Sequence, residues 1–151
     1  MGLASSSETR TVETTVRLNI AAGRAIETFL RDDDLRDWWK VSRSLVEPRP
    51  GGVWSIAWDG YGEQQTNHSW AGVIRDLGED RLFIAPLVQN EPGRPLFGPL
   101  QLEIVAASTD DGCELTVLHH GYRHGDDWDW LHDAVVRGWK EVLGAMKEWA
   151  R

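Results

Sequence analysis

Residues 126–151, DDWDWLHDAVVRGWKEVLGAMKEWAR, carry the periodicity that decides the fold. At 100° per residue, one side of this run is apolar and the opposite side is charged, which predicts one long amphipathic helix. Asp126 or Asp127 is expected to cap its first amides. Such a helix cannot bury its apolar face alone, so the preceding residues should form the surface that receives it. The predicted face consists of Leu131, Val135, Gly138, Val142, Ala145, Met146 and Trp149, with Trp128 and Trp139 at its margin.

The composition favours one globular domain. The chain has 151 residues, of which 41% are hydrophobic, and this suits a single core. No segment has the roughly 20 apolar residues of a membrane span, and MGLASSSETR lacks the apolar middle of a signal peptide. We therefore expect a cytoplasmic protein without integral membrane association. Residues 1–10 are assigned to a disordered tail and residues 11–151 to a single domain.

The charge balance and the tryptophan content narrow the classes of partner. Lys and Arg total 16 against 24 Asp and Glu, the net charge is -8, and the sequence has no basic cluster. Nucleic acid is therefore not an expected partner. Burying a tryptophan is costly unless its indole N–H finds an acceptor. Nine tryptophans in one chain therefore predict either a large core or a cavity lined by indole rings. The single cysteine, Cys113, excludes an intrachain disulfide.

Alternating and helical patterns give the order of elements. A strand at 11–19 is followed by a helix at 21–30 and a second short helix within 31–40. Residues 89–99 contain three prolines and two glycines and are predicted to form a mobile loop. The remaining strands are predicted at 42–50, 53–60, 69–77, 81–87, 100–107 and 113–120. Successive hairpins predict an antiparallel meander that curls around the terminal helix, which is an α+β fold.

Several short motifs resemble one superfamily. They are the VEPRPGGVW stretch at 46–54, Gly72-Val73-Ile74 before Arg81-Leu82-Phe83, the strand from Cys113 to Gly121, and Gly138-Trp139 in the last helix. Together with the order of elements, they resemble the START-like, or SRPBCC, superfamily. Within it, the chain looks most like the family named after the activator of the heat-shock-protein-90 ATPase. The resemblance covers about residues 11–150.

The resemblance implies a helix-grip fold similar to the major birch pollen allergen. A curved antiparallel sheet would wrap around the long C-terminal helix, with two short helices after the first strand and a cavity for hydrophobic or amphipathic molecules. The first function it implies is non-catalytic binding of a small hydrophobic or aromatic ligand, as in a carrier or sensor. The second is a polyketide cyclase-like or dehydratase-like enzyme. The third is a chaperone ATPase co-activator, ranked last because that co-chaperone carries a further domain that this sequence does not contain.

The predicted ligand-binding residues follow from which side chains face the helix. His119 is the polar group expected to hydrogen-bond a ligand or to act as acid or base, and a core histidine bonded to a carbonyl or a tryptophan is the alternative. Gly138 indicates either close approach of helix to sheet or space for a ligand. The full predicted set is Trp54, Trp58, Trp70, Leu102, Ile104, Leu115, Val117, His119, Tyr122, Leu131, Val135, Gly138 and Val142.

The catalytic candidates are few. His119 and Glu63 are weak candidates for acid–base work. Glu63 is expected beside Asp59, Tyr61 and His68 at hairpin ends near the cavity mouth, where solvated loop residues are the alternative reading. The spacing of the C-terminal histidines matches no zinc signature, so we predict neither a metal nor a cofactor. A homodimer and a chaperone partner are left open.

Overall fold

The computed structural model describes residues 8–61 and 63–151, apart from the side chain of Tyr61. The predicted disordered tail falls mainly on residues 1–7, which lie outside the described residues. Strand β1 spans Arg10–Leu18 and is followed by two short helices, α1 (Ala22–Glu27) and α2 (Asp32–Trp38). Six strands and a long helix follow: β2 (Arg43–Val46), β3 (Val53–Tyr61), β4 (Thr66–Leu77), β5 (Arg81–Asn90), β6 (Phe97–Thr109), β7 (Gly112–Tyr122) and α3 (Asp126–Trp149).

The seven strands form one antiparallel sheet in the order β1-β7-β6-β5-β4-β3-β2. Each strand from β2 to β7 pairs with its neighbour in sequence, and β1 pairs with β7. The curved sheet grips α3, and α1 and α2 follow the first strand. The predicted α+β helix-grip fold is confirmed, and so is the meander of hairpins.

Strands β5 and β6 reach further than predicted. Only residues 91–96 connect them, so the prediction of a mobile loop over 89–99 is wrong at both ends. Gln89 and Phe97 are buried strand residues that pair with each other across the two strands. The prolines within 89–99 misled the prediction. Pro99 lies inside β6 where the register between the strands shifts, as Pro86 does inside the correctly predicted part of β5. A proline at such an irregularity removes no regular ladder hydrogen bond.

Helix α3 begins without a side-chain cap. Gly125 occupies the N-cap position with φ of 118°, a conformation that L side chains rarely adopt. Asp126 and Asp127 consequently lie inside the first turn, and the predicted capping by either residue is wrong. Both carboxylates still lie at the positive end of the helix dipole.

The buried face of α3 is rotated from the predicted one. Trp139 and Leu143 lie at its centre, whereas Gly138 and Ala145 are exposed and Val142 is half-buried. Burying a large indole and a leucine removes more apolar area from water than burying glycine and alanine does. The buried residues of the helix are Leu131, Val135, Trp139, Leu143 and Met146.

The two short helices are fastened by indole hydrogen bonds and one ion pair. The Nε1 atoms of Trp38 and Trp54 donate to the carbonyl oxygens of Thr28 and Phe29, at 3.0 and 2.8 Å, just after α1. Arg24 of α1 makes a bidentate contact with the buried Asp34 of α2, at 2.6 and 2.8 Å. The Asp34 contact raises the pKa of the Arg24 guanidinium. These contacts close one end of the interior.

Replacing Asp34 with alanine should lower the free energy of unfolding by about 1–2 kcal/mol. The change leaves the Arg24 guanidinium without its buried partner, and the loss stays below that of a fully buried pair because Arg24 is more than a third exposed. Urea denaturation measures the change. Asp33→Ala is the matched control, since Asp33 lies in the same helical turn but is exposed. Equal stability of the two variants would contradict a role for the ion pair.

Candidate functional site

Five indole rings fill the space between the sheet and the middle of α3. We call Trp39, Trp54, Trp58, Trp70 and Trp139 the tryptophan cluster. The ring centroid of Trp39 lies 6.4, 5.4, 5.4 and 5.2 Å from those of Trp54, Trp58, Trp70 and Trp139, respectively. Aromatic pairs at these separations attract each other beyond the gain from burial. Indole rings therefore occupy this part of the predicted cavity.

A buried chain of hydrogen bonds runs through the same interior. The Nε1 atom of Trp139 donates to Nδ1 of His119 at 3.1 Å, so a neutral His119 carries its proton on Nε2. Tyr122 Oη lies 3.2 Å from that Nε2 and accepts the proton, although it is also 3.0 Å from Nδ1. The Tyr122 hydroxyl then donates to Oε1 of Gln89 at 2.9 Å. We call these four residues the polar chain.

The polar chain ends in a donor without an acceptor. Since Tyr122 donates to Oε1 of Gln89, the amide group is oriented with its nitrogen pointing away from Tyr122. That nitrogen, Nε2, is buried and has no hydrogen-bond partner within the described part of the chain. An unsatisfied buried donor costs about 1–3 kcal/mol. A carbonyl or carboxylate oxygen of a ligand would remove this cost.

Burial keeps the polar chain uncharged. Complete burial lowers the pKa of His119 to about 3, and the charge of the neighbouring His120 contributes to the shift. Burial raises the pKa of Tyr122 well above its usual value, and the Glu91 carboxylate raises it further. At physiological pH, His119 is therefore a neutral hydrogen-bonding group and does not supply a proton as an imidazolium acid.

The predicted ligand-binding residues lie in the interior with a few exceptions. Trp58 and Val142 are half-buried. Gly138 is exposed, and a Cβ added to it would meet no atom within 4 Å, so the prediction that it faces the sheet is wrong. Whether these residues bind a ligand stays a prediction. The buried members are Trp54, Trp70, Leu102, Ile104, Leu115, Val117, His119, Tyr122, Leu131 and Val135.

The hairpin residues do not form the predicted group. Glu63 is exposed in the turn between β3 and β4, and Asp59 is held by Arg43 at 2.6 and 2.9 Å, which lowers the pKa of Asp59. The side chain of Tyr61 lies outside the described part of the structure. His68 instead contacts Glu91, whose Oε2 is 2.7 Å from Nδ1. The partner was missed because Glu91 was assigned to a mobile loop.

Sequence reasoning also missed Gln89 and Trp39. Leu87, Gln89 and Glu91 continue the alternation of β5, and this was the available signal for both Gln89 and Glu91. Trp39 follows the last residue of α2, and it was read as part of a short helix and left out of the predicted ligand-binding set. The conformation after a helix end cannot be derived from periodicity, so no comparable signal pointed to Trp39.

The β5–β6 connection docks on the first turns of α3 beside the polar chain. Arg94 binds Asp127 at 2.9 Å, and its guanidinium carbon lies 3.9 Å from the ring centroid of Trp130. Phe97 packs edge-on against Trp128 with centroids 5.0 Å apart. The ring of Trp128 also lies 6.2 Å from that of Tyr122. This docking closes the second end of the interior.

Over residues 8–61 and 63–151, no group of three or more His, Cys, Asp or Glu side chains is placed to hold a metal ion. None of the helices described above combines the length and the apolar character needed to cross a membrane.

The antiparallel sheet closed on the long helix is a helix-grip fold, and the predicted membership of the START-like superfamily is confirmed. The family model described as "Activator of Hsp90 ATPase homolog 1-like protein" matches residues 22–151. The chain belongs to that family. No curated protein sequence matches it.

Solved structures of low sequence identity share the fold. A protein from Chromobacterium violaceum has a TM-score of 0.71 at 16% identity, with 93% of this chain and 97% of that chain covered. A protein of unknown function from Staphylococcus aureus has a TM-score of 0.70 at 13% identity, with 92% and 91% covered. The Aha1 dimer from Colwellia psychrerythraea has a TM-score of 0.69 at 8% identity, with 93% and 96% covered. Identities this low establish a common fold only.

His119→Gln should flatten the dependence of stability on pH. The pKa of His119 is about 3 in the folded protein against 6.5 for an ordinary histidine, so the unfolded chain binds the additional proton between these values. His119 therefore lowers the free energy of unfolding as the pH falls below about 6.5. Its removal should reduce the slope by up to about 1.4 kcal/mol per pH unit.

Urea denaturation between pH 7 and pH 4 measures that slope. The comparison uses slopes, so a uniform loss of stability in the variant does not affect it. His124→Gln is the control, because His124 is exposed. Parallel curves for the wild type and His119→Gln would show that His119 is not held neutral.

Proposed function

We propose that this protein reversibly binds a small planar aromatic molecule that carries a hydrogen-bond acceptor, without covalent chemistry. The ligand would lie between the sheet and α3, against the tryptophan cluster. The observation that carries the proposal is Nε2 of Gln89, a buried donor at the end of the polar chain that has no acceptor among the described residues. Pockets for small molecules are mostly apolar and contain a few oriented polar groups of this kind.

The tryptophan cluster supports an aromatic ligand. Its rings offer faces and edges for offset or edge-on packing, which aromatic molecules prefer. The indole N–H groups of Trp54, Trp58 and Trp139 already donate to the carbonyl oxygens of Phe29 and Trp39 and to His119. Within the polar chain, Gln89 is the residue whose N–H groups require an acceptor on the ligand, because its Nε2 has none among the described residues.

Entry requires the closed interior to open. The docked β5–β6 connection is a suitable place, since it adjoins the polar chain and is held by the part-exposed pair of Arg94 and Asp127. Ion pairs of this exposure contribute about 0–1 kcal/mol to stability, so breaking the pair of Arg94 and Asp127 costs little free energy. Trp58 is half-buried and could turn outward without leaving a deeply buried hole. A ligand that favours the open form would shift the population toward it.

Family membership raises two other roles. A cyclase-like or dehydratase-like reaction in the same interior is disfavoured at His119, which is neutral and a weak base. Co-activation of a chaperone ATPase would act through the surface, so the buried polar chain lends it no support, and it ranks below ligand binding. One neighbour in fold is a dimer. A homodimer of this chain stays a prediction, and analytical ultracentrifugation would test it.

The proposal predicts that the protein prefers 2-acetylnaphthalene to 2-ethylnaphthalene. The two molecules are similar in shape, but only the ketone can accept a hydrogen bond from Gln89. The expected preference is about tenfold, the value of one hydrogen bond to a buried donor. Gln89→Leu should bind both molecules equally. Quenching of tryptophan fluorescence, confirmed by native mass spectrometry, measures the two affinities.

Gln101→Leu is the matched control, because Gln101 is an exposed residue of the adjacent strand β6. It should keep the preference of the wild type. An equal affinity of the wild type for ketone and hydrocarbon would exclude Gln89 as the recognition group. Failure of both molecules to bind would contradict an aromatic ligand site in this interior.

A further inference from the structure

Thr66, His68 and Glu91 form a line of hydrogen-bonding side chains outside the polar chain. Oε2 of Glu91 lies 2.7 Å from Nδ1 of His68, and Nε2 of the same imidazole lies 3.1 Å from Oγ1 of Thr66. Thr66 and His68 lie at the start of β4, and Glu91 directly follows the last residue of the neighbouring strand β5. The imidazole thus lies between a carboxylate and a hydroxyl, with one ring nitrogen directed at each.

The strand register places this group on the inner face of the sheet. Trp70 pairs with Gln89 and Ser69 with Asn90, so His68 comes opposite Glu91 one step further along. Thr66 and His68 alternate with Trp70, whose ring belongs to the tryptophan cluster, and therefore share its face. The group lies beside the start of the β5–β6 connection, next to the aromatic interior.

The protonation pattern follows from the chemistry of the three groups. A carboxylate can only accept hydrogen bonds, so Nδ1 of His68 carries a proton toward Glu91. In the neutral imidazole Nε2 then has a lone pair, which accepts the Thr66 hydroxyl proton. This is the geometry of an activated nucleophile: a hydroxyl within reach of a base that a third group orients.

The group is accessible without being fully solvated. The side chains of His68 and Glu91 are 23% and 13% exposed, and Thr66 is half-buried. Water and a small substrate can reach such residues, while the partial burial strengthens the contact between imidazole and carboxylate. The exposed Glu63, predicted as a candidate for acid–base chemistry, is accessible but lacks this partial burial.

We propose that Thr66, His68 and Glu91 form a nucleophilic triad that hydrolyses small aromatic esters. Thr66 Oγ1 attacks the ester carbonyl carbon as His68 Nε2 takes the hydroxyl proton. The bond from that carbon to the alcohol oxygen breaks, and His68 returns the proton to the departing alcohol or phenol. Water then attacks the acyl-threonine with His68 as base, which releases the carboxylic acid and restores Thr66. Glu91 stabilises the imidazolium in both steps.

This activity goes beyond the proposed non-covalent binding and is tested separately from it. The substrate for the test is p-nitrophenyl acetate, whose acetyl group needs no place in the tryptophan cluster. Release of p-nitrophenolate is followed by absorbance, and the acetylated residue is located by peptide mass spectrometry after rapid acid quenching. The protein should show an initial burst and an acetyl group on Thr66.

The variants assign the roles. Thr66→Val, which keeps the shape of the side chain, should abolish the burst and the adduct, whereas Thr66→Ser should retain both. His68→Gln should lower the rate of acylation about 100-fold, the usual contribution of a positioned base. Glu91→Gln should lower it about tenfold or more through loss of orientation. His124→Gln replaces an exposed histidine and should match the wild type.

Three results would overturn the triad. The first is acetylation confined to lysine with Thr66 unmodified. The second is an unchanged rate in Thr66→Val. The third is loss of activity in His68→Gln with full activity in Thr66→Val, because His68 would then activate water directly. Circular dichroism and thermal melting of every variant separate a loss of chemistry from a loss of folding, and Thr66→Ser keeps the test decisive if Thr66→Val fails to fold.

Discussion

The hydrogen bond from the Trp139 indole to His119 is the contact on which the interior depends. It joins the long helix α3 to strand β7 at a point where both side chains are buried. Because an indole N–H can only donate, it determines which nitrogen of His119 accepts. That choice sets the direction of the next two hydrogen bonds, through Tyr122 to Gln89. One contact between helix and sheet thus decides which atom of the interior is left unpaired.

The tryptophan cluster explains how the curved sheet closes on the helix without a large void. Indole rings are bulky enough to span the distance between the layers, and their N–H groups find carbonyl acceptors where α1 and α2 end. Tight packing of this kind resists removal of any member but tolerates rotation of a half-buried one such as Trp58. Under the proposed function, a ligand would occupy this space after such a rotation.

The sequence predicted the fold well because its strongest signals are periodic. The helical spacing of the last 26 residues correctly predicted α3. The alternation from Cys113 to His120 correctly predicted that the side chain of His119 faces the interior. The alternative weighed for His119, a core histidine bonded to a tryptophan, describes its environment in the structure. Such patterns can be interpreted without knowledge of the tertiary packing, because each depends only on which side chains of one element face the core.

The candidate site was less predictable because it depends on irregular backbone. Prolines 92, 95 and 99 hid the ends of β5 and β6, so Gln89 and Glu91 were assigned to a loop. Gly138 was placed on the buried face because a helical wheel cannot tell which edge of a broad apolar face is deepest, and packing of Trp139 decided it. The contact between His68 and Glu91 required the strand register, which no local pattern contains.

Membership of the activator of Hsp90 ATPase homolog 1-like family accounts for the architecture, while the unpaired donor of Gln89 is a feature of this chain's own side chains. Under the proposed function, this donor binds an acceptor on the ligand. The most direct test is a nitrogen-15 correlation spectrum of the protein titrated with 2-acetylnaphthalene. Shifts of the Gln89 side-chain amide and of the Trp70 and Trp139 indole signals are expected. Shifts confined to the exposed Trp130, with the Gln89 amide unmoved, would contradict it.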